Sequence, residues 1–285
     1  MRRLLHDRRG TFGAVALCLT VVVAVAAPLV TTGAPAAQRD VVGARFLPPL
    51  AIDRHGGFHA LGTDRFGRDV WTRLAYGARV SLAVSGLAVL LSVALGVAVG
   101  AVAGYASGAA ALALLGMTDF ALALPRVVLL LLLTSLWPPS TILVVLVLGG
   151  TGWMTIARLV YGEVRALAAR PFVEGAAALG AGRVRVLWRH ILPNALTPVI
   201  VAAALAVGNT IMLEAGLSFL GLGVQPPAPS WGNMIASGRD TLVNAPWVAA
   251  APGLALVLVV VACTMLGDAV RDAYSRETGD GRREA

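Results

Sequence analysis

The chain has 285 residues, of which 58% are hydrophobic and only 13% charged, and its mean hydropathy is +0.79. This composition excludes an ordinary soluble globular protein. The net charge of +8 comes entirely from arginine, because the sequence contains no lysine, and this excludes a standard P-loop ATPase and a lysine nucleophile. The arginines are scattered between apolar runs, which favours lipid headgroups over nucleic acid as their contact.

Six apolar segments are long enough to cross a bilayer as helices. The first, at about 11–30, follows an arginine-rich start and is longer than the hydrophobic region of a signal peptide. This favours an uncleaved anchor with a cytosolic N-terminus. The other segments are predicted at about 80–104, 117–137, 142–160, 195–212 and 247–266. The sequence thus predicts an all-α polytopic membrane protein with six transmembrane helices and both termini in the cytosol.

This pattern divides the chain into four parts. Residues 1–40 form a cytosolic arm and the first span, 41–79 an extracytoplasmic loop with a short interfacial helix, 80–272 a core of five spans, and 273–285 a cytosolic tail. Asp64, Arg68 and Asp69 are expected to cap or salt-bridge the interfacial helix.

The arginine distribution tests this orientation, because cytosolic loops carry an excess of positive charge. The connection at 158–190 holds six arginines, whereas the opposite loop at 216–245 holds only Arg239. Two features fit poorly. The outer loop at 31–79 carries seven arginines, and the inner loop near 105–116 carries none.

A ridge of glycines follows in the second span. Gly96, Gly100 and Gly104 repeat at every fourth position, and such small residues let another helix approach closely. The ridge predicts a tight helix bundle.

The segment RPFVEGAAALGAGRVRVLWRHILPN, at 170–194, interrupts the apolar pattern between the fourth and fifth spans. Its first part reads as a short helix that Gly180 ends, with one face formed by Phe172, Ala176 and Leu179. A second short amphipathic helix follows up to Pro193. Two alternatives remain open from these residues alone: an interfacial helix pair that holds lipid phosphates, and a docking element for a cytosolic partner.

The segment resembles the EAA loop of bacterial ABC importer permeases, whose pattern is EAA-x3-G-x9-I-x-LP. Glu174-Gly175-Ala176, Gly180 and 190–193 occupy these positions, but Gly175 replaces an alanine and His190 an isoleucine. LGTDRFGRDVWTRLAYGARVSL at 61–82 and LEAGLSFLGLGVQPPAPSWGNMI at 213–235 resemble segments of one branch, the C-type subunit of the dipeptide/oligopeptide/nickel permeases.

The resemblance implies a type I ABC importer permease fold with a cytosolic coupling helix, in the bacterial cytoplasmic membrane. It also implies a homologous B-type permease, two cytosolic ABC ATPases and an extracytoplasmic solute-binding protein as partners. Peptides are the expected solute, with nickel or other small solutes as alternatives. Such a subunit is not an enzyme and holds no cofactor, because the partner ATPases use the ATP. The residues implied in coupling are Phe172, Glu174, Gly175, Ala176, Leu179, Gly180, Arg183, Arg189 and Pro193.

By the same resemblance Glu214, Ser218 and Trp231 lie at the translocation path or its outer gate. A carboxylate such as Glu214 could equally extend to the outer membrane interface. Asp119 and Arg126, seven residues apart near the third span, are expected to form ion pairs with each other or with neighbours.

His55 and His59 could ligate a metal, but solvated loop residues are the favoured interpretation, so no metal site is predicted. Two other classes are considered. A secondary transporter would need inverted repeats and intramembrane carboxylates, and a membrane-embedded enzyme would need a nucleophile or metal set within the spans. The sequence displays neither pattern.

Overall fold

The computed structural model describes residues 7–31, 33–38 and 40–280, so parts of the N-terminal arm and of the C-terminal tail lie outside the described residues. The regular secondary structure of the described part is helical except for one hairpin, in which β1 (Ala51–Ile52) pairs antiparallel with β2 (Phe58–His59). The helices are α1 Arg8–Val25, α2 Ala27–Val30, α3 Val70–Tyr105, α4 Ala109–Ala123, α5 Arg126–Ser135, α6 Thr141–Ala168, α7 Pro171–Ala178, α8 Arg183–Val186, the π-helix Leu187–Ile191, α9 Leu192–Phe219, α10 Trp231–Arg239 and α11 Trp247–Asp280.

The third predicted span, at 117–137, was wrong as a continuous helix. The structure has α4 and α5 there instead, bent by 86° at the break between them. Leu124 adopts an extended conformation at the end of α4, because the ring of Pro125 disfavours the helical conformation of the residue before it. At each of the other five predicted positions, the described residues form a helix that is long and apolar enough to cross a membrane.

The glycine ridge of α3 packs directly on α6. A side chain at Gly96 would meet Ile156, and one at Gly104 would meet Val164. Residue numbers therefore rise together along the two helices, so α3 and α6 run parallel. The expectation of close helix packing at the ridge is confirmed.

This parallel packing fixes the number of crossings. Because α3 and α6 start at one side of the bundle and finish at the other, α4 and α5 together must cross back between them. The bent pair therefore counts as one span, which with α1, α3, α6, α9 and α11 gives six crossings in the described part of the chain.

The bundle has two distinct ends. The end at which α3 and α6 finish, named here the α7 end, also holds α7. The opposite end, named the hairpin end, holds β1, β2 and α10. The Trp71 indole donates to the Val30 carbonyl at 3.1 Å, and the Trp247 indole to that of Thr63 at 3.2 Å. Hence α1 finishes and α11 begins at the hairpin end. The start of α1 and the end of α11 therefore lie at the α7 end.

The expected interfacial helix is not a separate element, since its residues form the first turns of α3. Its predicted caps are confirmed. The Asp69 carboxylate accepts from the backbone N–H of Thr72 at 2.7 Å, and Asp64 binds Arg68 Nη2 at 2.7 Å. The boundary drawn at residue 79 thus falls inside a continuous helix.

The structure modifies both poorly fitting charge features. Arg68 and Arg73 of the outer loop are buried, and Asp64 lies within salt-bridge distance of each. The Asp64 carboxylate therefore offsets one of these two positive charges, while four other arginines of the loop are exposed: Arg45, Arg54, Arg65 and Arg79. The inner loop shrinks to residues 106–108, because α4 begins at residue 109.

We predict that Gly100→Ala destabilises the bundle. The added Cβ would lie 2.8 Å from the Cβ of Val160 and closer still to the Ala157 carbonyl oxygen, so the helices must separate at a cost of about 1–3 kcal/mol. The thermal unfolding midpoint in detergent measures this effect. Gly162→Ala on α6 is the matched control, since its Cβ would meet nothing within 4 Å. Equal midpoints for the two variants would contradict the prediction.

Candidate functional site

Helix α7 is attached to the bundle by its inner face. Val173 is 6% exposed and packs in a cluster with Val164 of α6, Val186 of α8 and Ile191 of the π-helix. Ala176 is half-buried and packs against the same cluster. This contact fixes the position of α7 relative to the helices that flank it.

The outer face of α7 carries two uncovered apolar side chains. Phe172 is 46% exposed and Leu179, just after the end of the helix, is 91% exposed. The face predicted from the sequence is therefore divided, because Ala176 turns towards the bundle while Phe172 and Leu179 do not. We name Phe172 and Leu179 the α7 patch. Glu174 and Gly175 lie exposed in the same helix.

Gly180 ends α7 as predicted. Its φ is +82°, the left-handed conformation that glycine adopts without steric cost. The Ala181 N–H then donates to the Ala176 carbonyl at 3.1 Å. At Gly175 a Cβ would meet nothing within 4 Å, so the alanine of the EAA pattern would also fit this backbone.

The second short helix of the sequence prediction does not stop before Pro193. Helix α8, the π-helix and α9 form one continuous helical segment, Arg183–Phe219. Proline has no N–H to donate to the residue four before it, and its ring clashes with that carbonyl. A π turn relieves the clash, and here the N–H of Leu192 donates to the Leu187 carbonyl instead.

The segments that flank α7 are rich in exposed arginine. Five exposed arginines lie on the end of α6, beside α7, or on α8 and the π-helix: Arg165, Arg170, Arg183, Arg185 and Arg189. The surface at the α7 end is thus an apolar patch with a basic rim. Such a surface suits a partner that offers an apolar groove with acidic edges.

At the hairpin end, Glu214 is fully buried, with 0% of the residue exposed. Its carboxylate accepts from Ser81 Oγ of α3 at 2.9 Å and from Ser218 Oγ at 2.7 Å. The alternative of a carboxylate extending to the outer interface was therefore wrong. Instead, Glu214 is the centre of a buried polar contact that joins α9 to α3.

Trp231 belongs to the same contact. Its backbone N–H donates to Ser81 Oγ at 3.2 Å, and its indole N–H donates to the Leu74 carbonyl at 3.2 Å. The Val224 N–H donates to Ser218 Oγ at 3.0 Å. We name the contact of Ser81, Glu214, Ser218 and Trp231 the Glu214 joint.

The structure thus brings together the three candidate gate residues, but buries them. Sequence analysis did not identify Ser81 as their partner. It lies in the 61–82 segment that resembles the importer permeases, yet nothing in its spacing indicates a contact with a residue 133 positions away.

The two loop histidines are separated in their contacts. His59 lies between two carboxylates, with Nδ1 at 2.9 Å from Asp69 and Nε2 at 3.3 Å from Asp53, whereas His55 lies 3.9 Å from Asp40. In the described part of the chain, no group of three or more His, Cys, Asp or Glu residues could hold a metal ion. These side chains serve the hairpin and the start of α3.

We predict that Glu214→Gln weakens the joint. An amide offers one acceptor oxygen where the carboxylate offers two, so one buried serine hydroxyl loses its acceptor at a cost of about 1–3 kcal/mol. The thermal midpoint in detergent measures the effect, and the exposed Asp240→Asn is the matched control at the same end. A Glu214→Gln midpoint equal to that of the control would exclude a stabilising joint.

We also predict an acid-sensitive hairpin. The Gly57 N–H donates to Asp53 and, with smaller contributions from the His55 N–H and the His59 side chain, lowers the pKa of this carboxyl. The folded pKa lies below the unfolded value of about 4. The stabilisation is therefore complete above that value and is lost as the pH falls through the folded pKa.

Hydrogen exchange at residues 51–59 between pH 6 and pH 3, corrected for intrinsic rates, measures this loss. Asp53→Asn should lower the protection at pH 6 and remove most of its pH dependence. Protection that stays constant in the unmodified protein down to pH 3 would refute the assignment.

Comparison with known proteins places this arrangement in a family. The family model described as "binding-protein-dependent transport system inner membrane component" matches residues 96–279. A peptide transport system permease protein of Brucella abortus is 37% identical over 95% of this chain and 88% of its own length. The di/tripeptide transport system permease protein DppC of Pseudomonas aeruginosa is 35% identical, over 94% of this chain and 88% of its own.

A solved structure supports the fold. A chain of the MetNI methionine ABC transporter, in inward-facing conformations, superposes with a TM-score of 0.58 at 20% identity, covering 70% of this chain and 95% of that one. The predicted type I importer permease fold is confirmed. The alternative of a secondary transporter has no support in these matches, and the family is a class of transport permeases rather than of enzymes. Because the family model spans well over half of the sequence, the chain belongs to the inner membrane components of binding-protein-dependent transport systems.

Proposed function

We propose that this chain is the C-type permease subunit of an ABC importer for peptides in a bacterial cytoplasmic membrane. In this proposal it pairs with a homologous B-type permease. Two cytosolic ATPases power it, and an extracytoplasmic binding protein delivers the solute. The family match and the peptide-transport names of the relatives support the proposal. The chain itself would need no cofactor, because ATP binds to the ATPases.

The observation that carries the proposal is the two-sided packing of α7. Its inner side is fixed to α6, α8 and the π-helix through Val173, while Phe172 and Leu179 are uncovered. A partner that binds the α7 patch would bury the Leu179 side chain, which alone stabilises the complex by about 1.5–3 kcal/mol. A shift of that partner would then move α7 and the helices attached to it, and so bias the bundle between two states.

The orientation follows from the resemblance of residues 170–194 to a cytosolic coupling loop. The number of exposed arginines does not decide it, because they lie at both ends of the bundle. We therefore assign the α7 end to the cytosol, together with the start of α1 and the end of α11. The hairpin end then faces the binding protein. Because Glu214 is buried, a gating role for Glu214, Ser218 and Trp231 requires the Glu214 joint to open.

Purification from the native membrane in gentle detergent tests the function. A second permease and P-loop ATPases should co-purify, and the complex in proteoliposomes should accumulate a radiolabelled dipeptide when supplied with its binding protein and internal ATP. A chain that purifies alone, or a complex that accumulates no peptide, would refute the proposal.

We predict that Leu179→Ser weakens ATPase binding without unfolding the bundle, because the side chain is 91% exposed. The loss of its burial should reduce the amount of co-purified ATPase about tenfold or more. Val243→Ser is the matched control, since Val243 is 95% exposed but lies between α10 and α11 at the hairpin end. If both variants retain the same amount of ATPase, the α7 patch is not the docking surface.

A further inference from the structure

An arginine lies near the middle of the membrane-spanning bundle. Arg126 is the first residue of α5, directly after the break with α4, and its Nη2 donates to the Leu148 carbonyl of α6 at 3.4 Å. A Cβ added to Gly152 of α6 would lie 3.2 Å from the same nitrogen and 3.1 Å from the Cβ of Ser92 on α3. Arg126, Gly152 and Ser92 each fall near the middle of a crossing, so the guanidinium lies near the bilayer midplane.

Arg126 has no carboxylate partner among the described residues. The only acidic residues on α3 to α6 are Asp119 and Glu163. Asp119 binds Arg158 instead, which corrects the expectation of an ion pair for Arg126. Glu163 lies eleven residues beyond Gly152 on α6, or about 16 Å along the helix axis. The Nε atom of Arg126 is buried with no hydrogen-bond partner in the described part of the chain.

The Arg126 side chain does not face the hydrocarbon of the lipid. An arginine at the centre of a bilayer costs at least about 2.5 kcal/mol and normally faces a bundle interior or a water-filled cavity. The break at Leu124–Pro125 adds helix ends whose backbone groups have no helical partners, and such ends are tolerated at membrane depth only against protein or water. The side of α5 that carries Arg126 therefore faces protein or an aqueous path.

We propose that Arg126 binds the carboxylate of the solute as it passes the midplane; this inference rests on the proposed peptide import. A peptide carries a C-terminal carboxylate at any length, and a guanidinium binds a carboxylate through two parallel N–H groups. Arg126 has five N–H donors, of which one makes a long hydrogen bond to Leu148. A permanent ion pair with the partner permease would need the arginine but not the adjacent helix break, whereas in secondary transporters broken helices at the midplane form the solute site.

The test uses the intact transporter in proteoliposomes, with its binding protein at saturating concentration. The probes are radiolabelled dialanine and its C-terminal amide. The binding protein is unchanged throughout, so differences between variants arise in the permease. Arg126→Gln should lower uptake of the free acid about tenfold or more, since one charge-assisted contact is lost, and should change uptake of the amide less than about twofold. Arg126→Lys keeps the charge and should retain most of the uptake. Arg271→Gln, an exposed arginine on α11 outside the basic rim, is the control.

A chemical rescue gives a second, independent measurement. The chain has only two cysteines, Cys18 and Cys263, so replacing both by serine yields a cysteine-free background. In that background, a cationic methanethiosulfonate reagent should restore dialanine uptake to Arg126→Cys. A neutral methanethiosulfonate of similar size should not.

Three results would overturn the inference. Equal losses for acid and amide would show that Arg126 does not act on the carboxylate. Loss of the co-purifying permease in Arg126→Gln would assign Arg126 to an ion pair with that subunit. If the cationic reagent labels the cysteine but uptake does not recover, a positive charge at this position does not restore transport. Failure of the unmodified complex to accumulate either probe would instead refute the peptide importer itself.

Discussion

The parallel contact between α3 and α6 is the constraint on which the rest of the fold depends. Three glycines at four-residue spacing let the two backbones approach to a distance that any side chain on the ridge would prevent. Lipid tails are as apolar as leucine, so close van der Waals packing of this kind is what associates helices in a bilayer. Two parallel neighbours require an intervening crossing, and the bent α4–α5 pair supplies it. The number of crossings and the two ends of the bundle follow from this requirement.

The two ends of the bundle are built by different physical means. At the α7 end a small helix is attached through one apolar face and leaves the other uncovered, with arginines around it. At the hairpin end the polar groups are paired inside the protein: Asp64 with two arginines, His59 with two carboxylates, and Glu214 with two serines. At the α7 end, apolar side chains have no cover within the chain. At the hairpin end, these polar side chains have partners within the chain. The two ends therefore differ in how much of their apolar and polar surface is paired within the chain.

Sequence patterns determined much of this structure in advance. Hydropathy located the spans, periodicity located α7, and the glycine spacing located the tight contact. The left-handed turn at Gly180 and the capping role of Asp69 also followed from residue type, because these are local effects. The bend at Leu124 was missed although Pro125 marks it, since the apolar run continues through the proline. The partner of Glu214 could not be predicted, because it depends on which crossings are neighbours. The same holds for Arg126: a pattern seven residues long suggested Asp119, but Arg158 on another helix reaches that carboxylate.

The π turn before α9 has a mechanical consequence. Since the helix does not stop at Pro193, the segment from Arg183 to Phe219 is one rod of 37 residues, about 55 Å long at the rise of an α-helix. One tip of this rod contacts α7 through Val186, and Glu214 lies near the other tip. A tilt or axial twist of this segment at the α7 end therefore displaces the Glu214 carboxylate relative to Ser81 of α3, whereas Ser218 lies on the same helix and moves with it. A hydrogen bond of 2.9 Å tolerates little such displacement, so movement of this segment against α3 would strain the contact between Glu214 and Ser81 at the opposite end of the bundle.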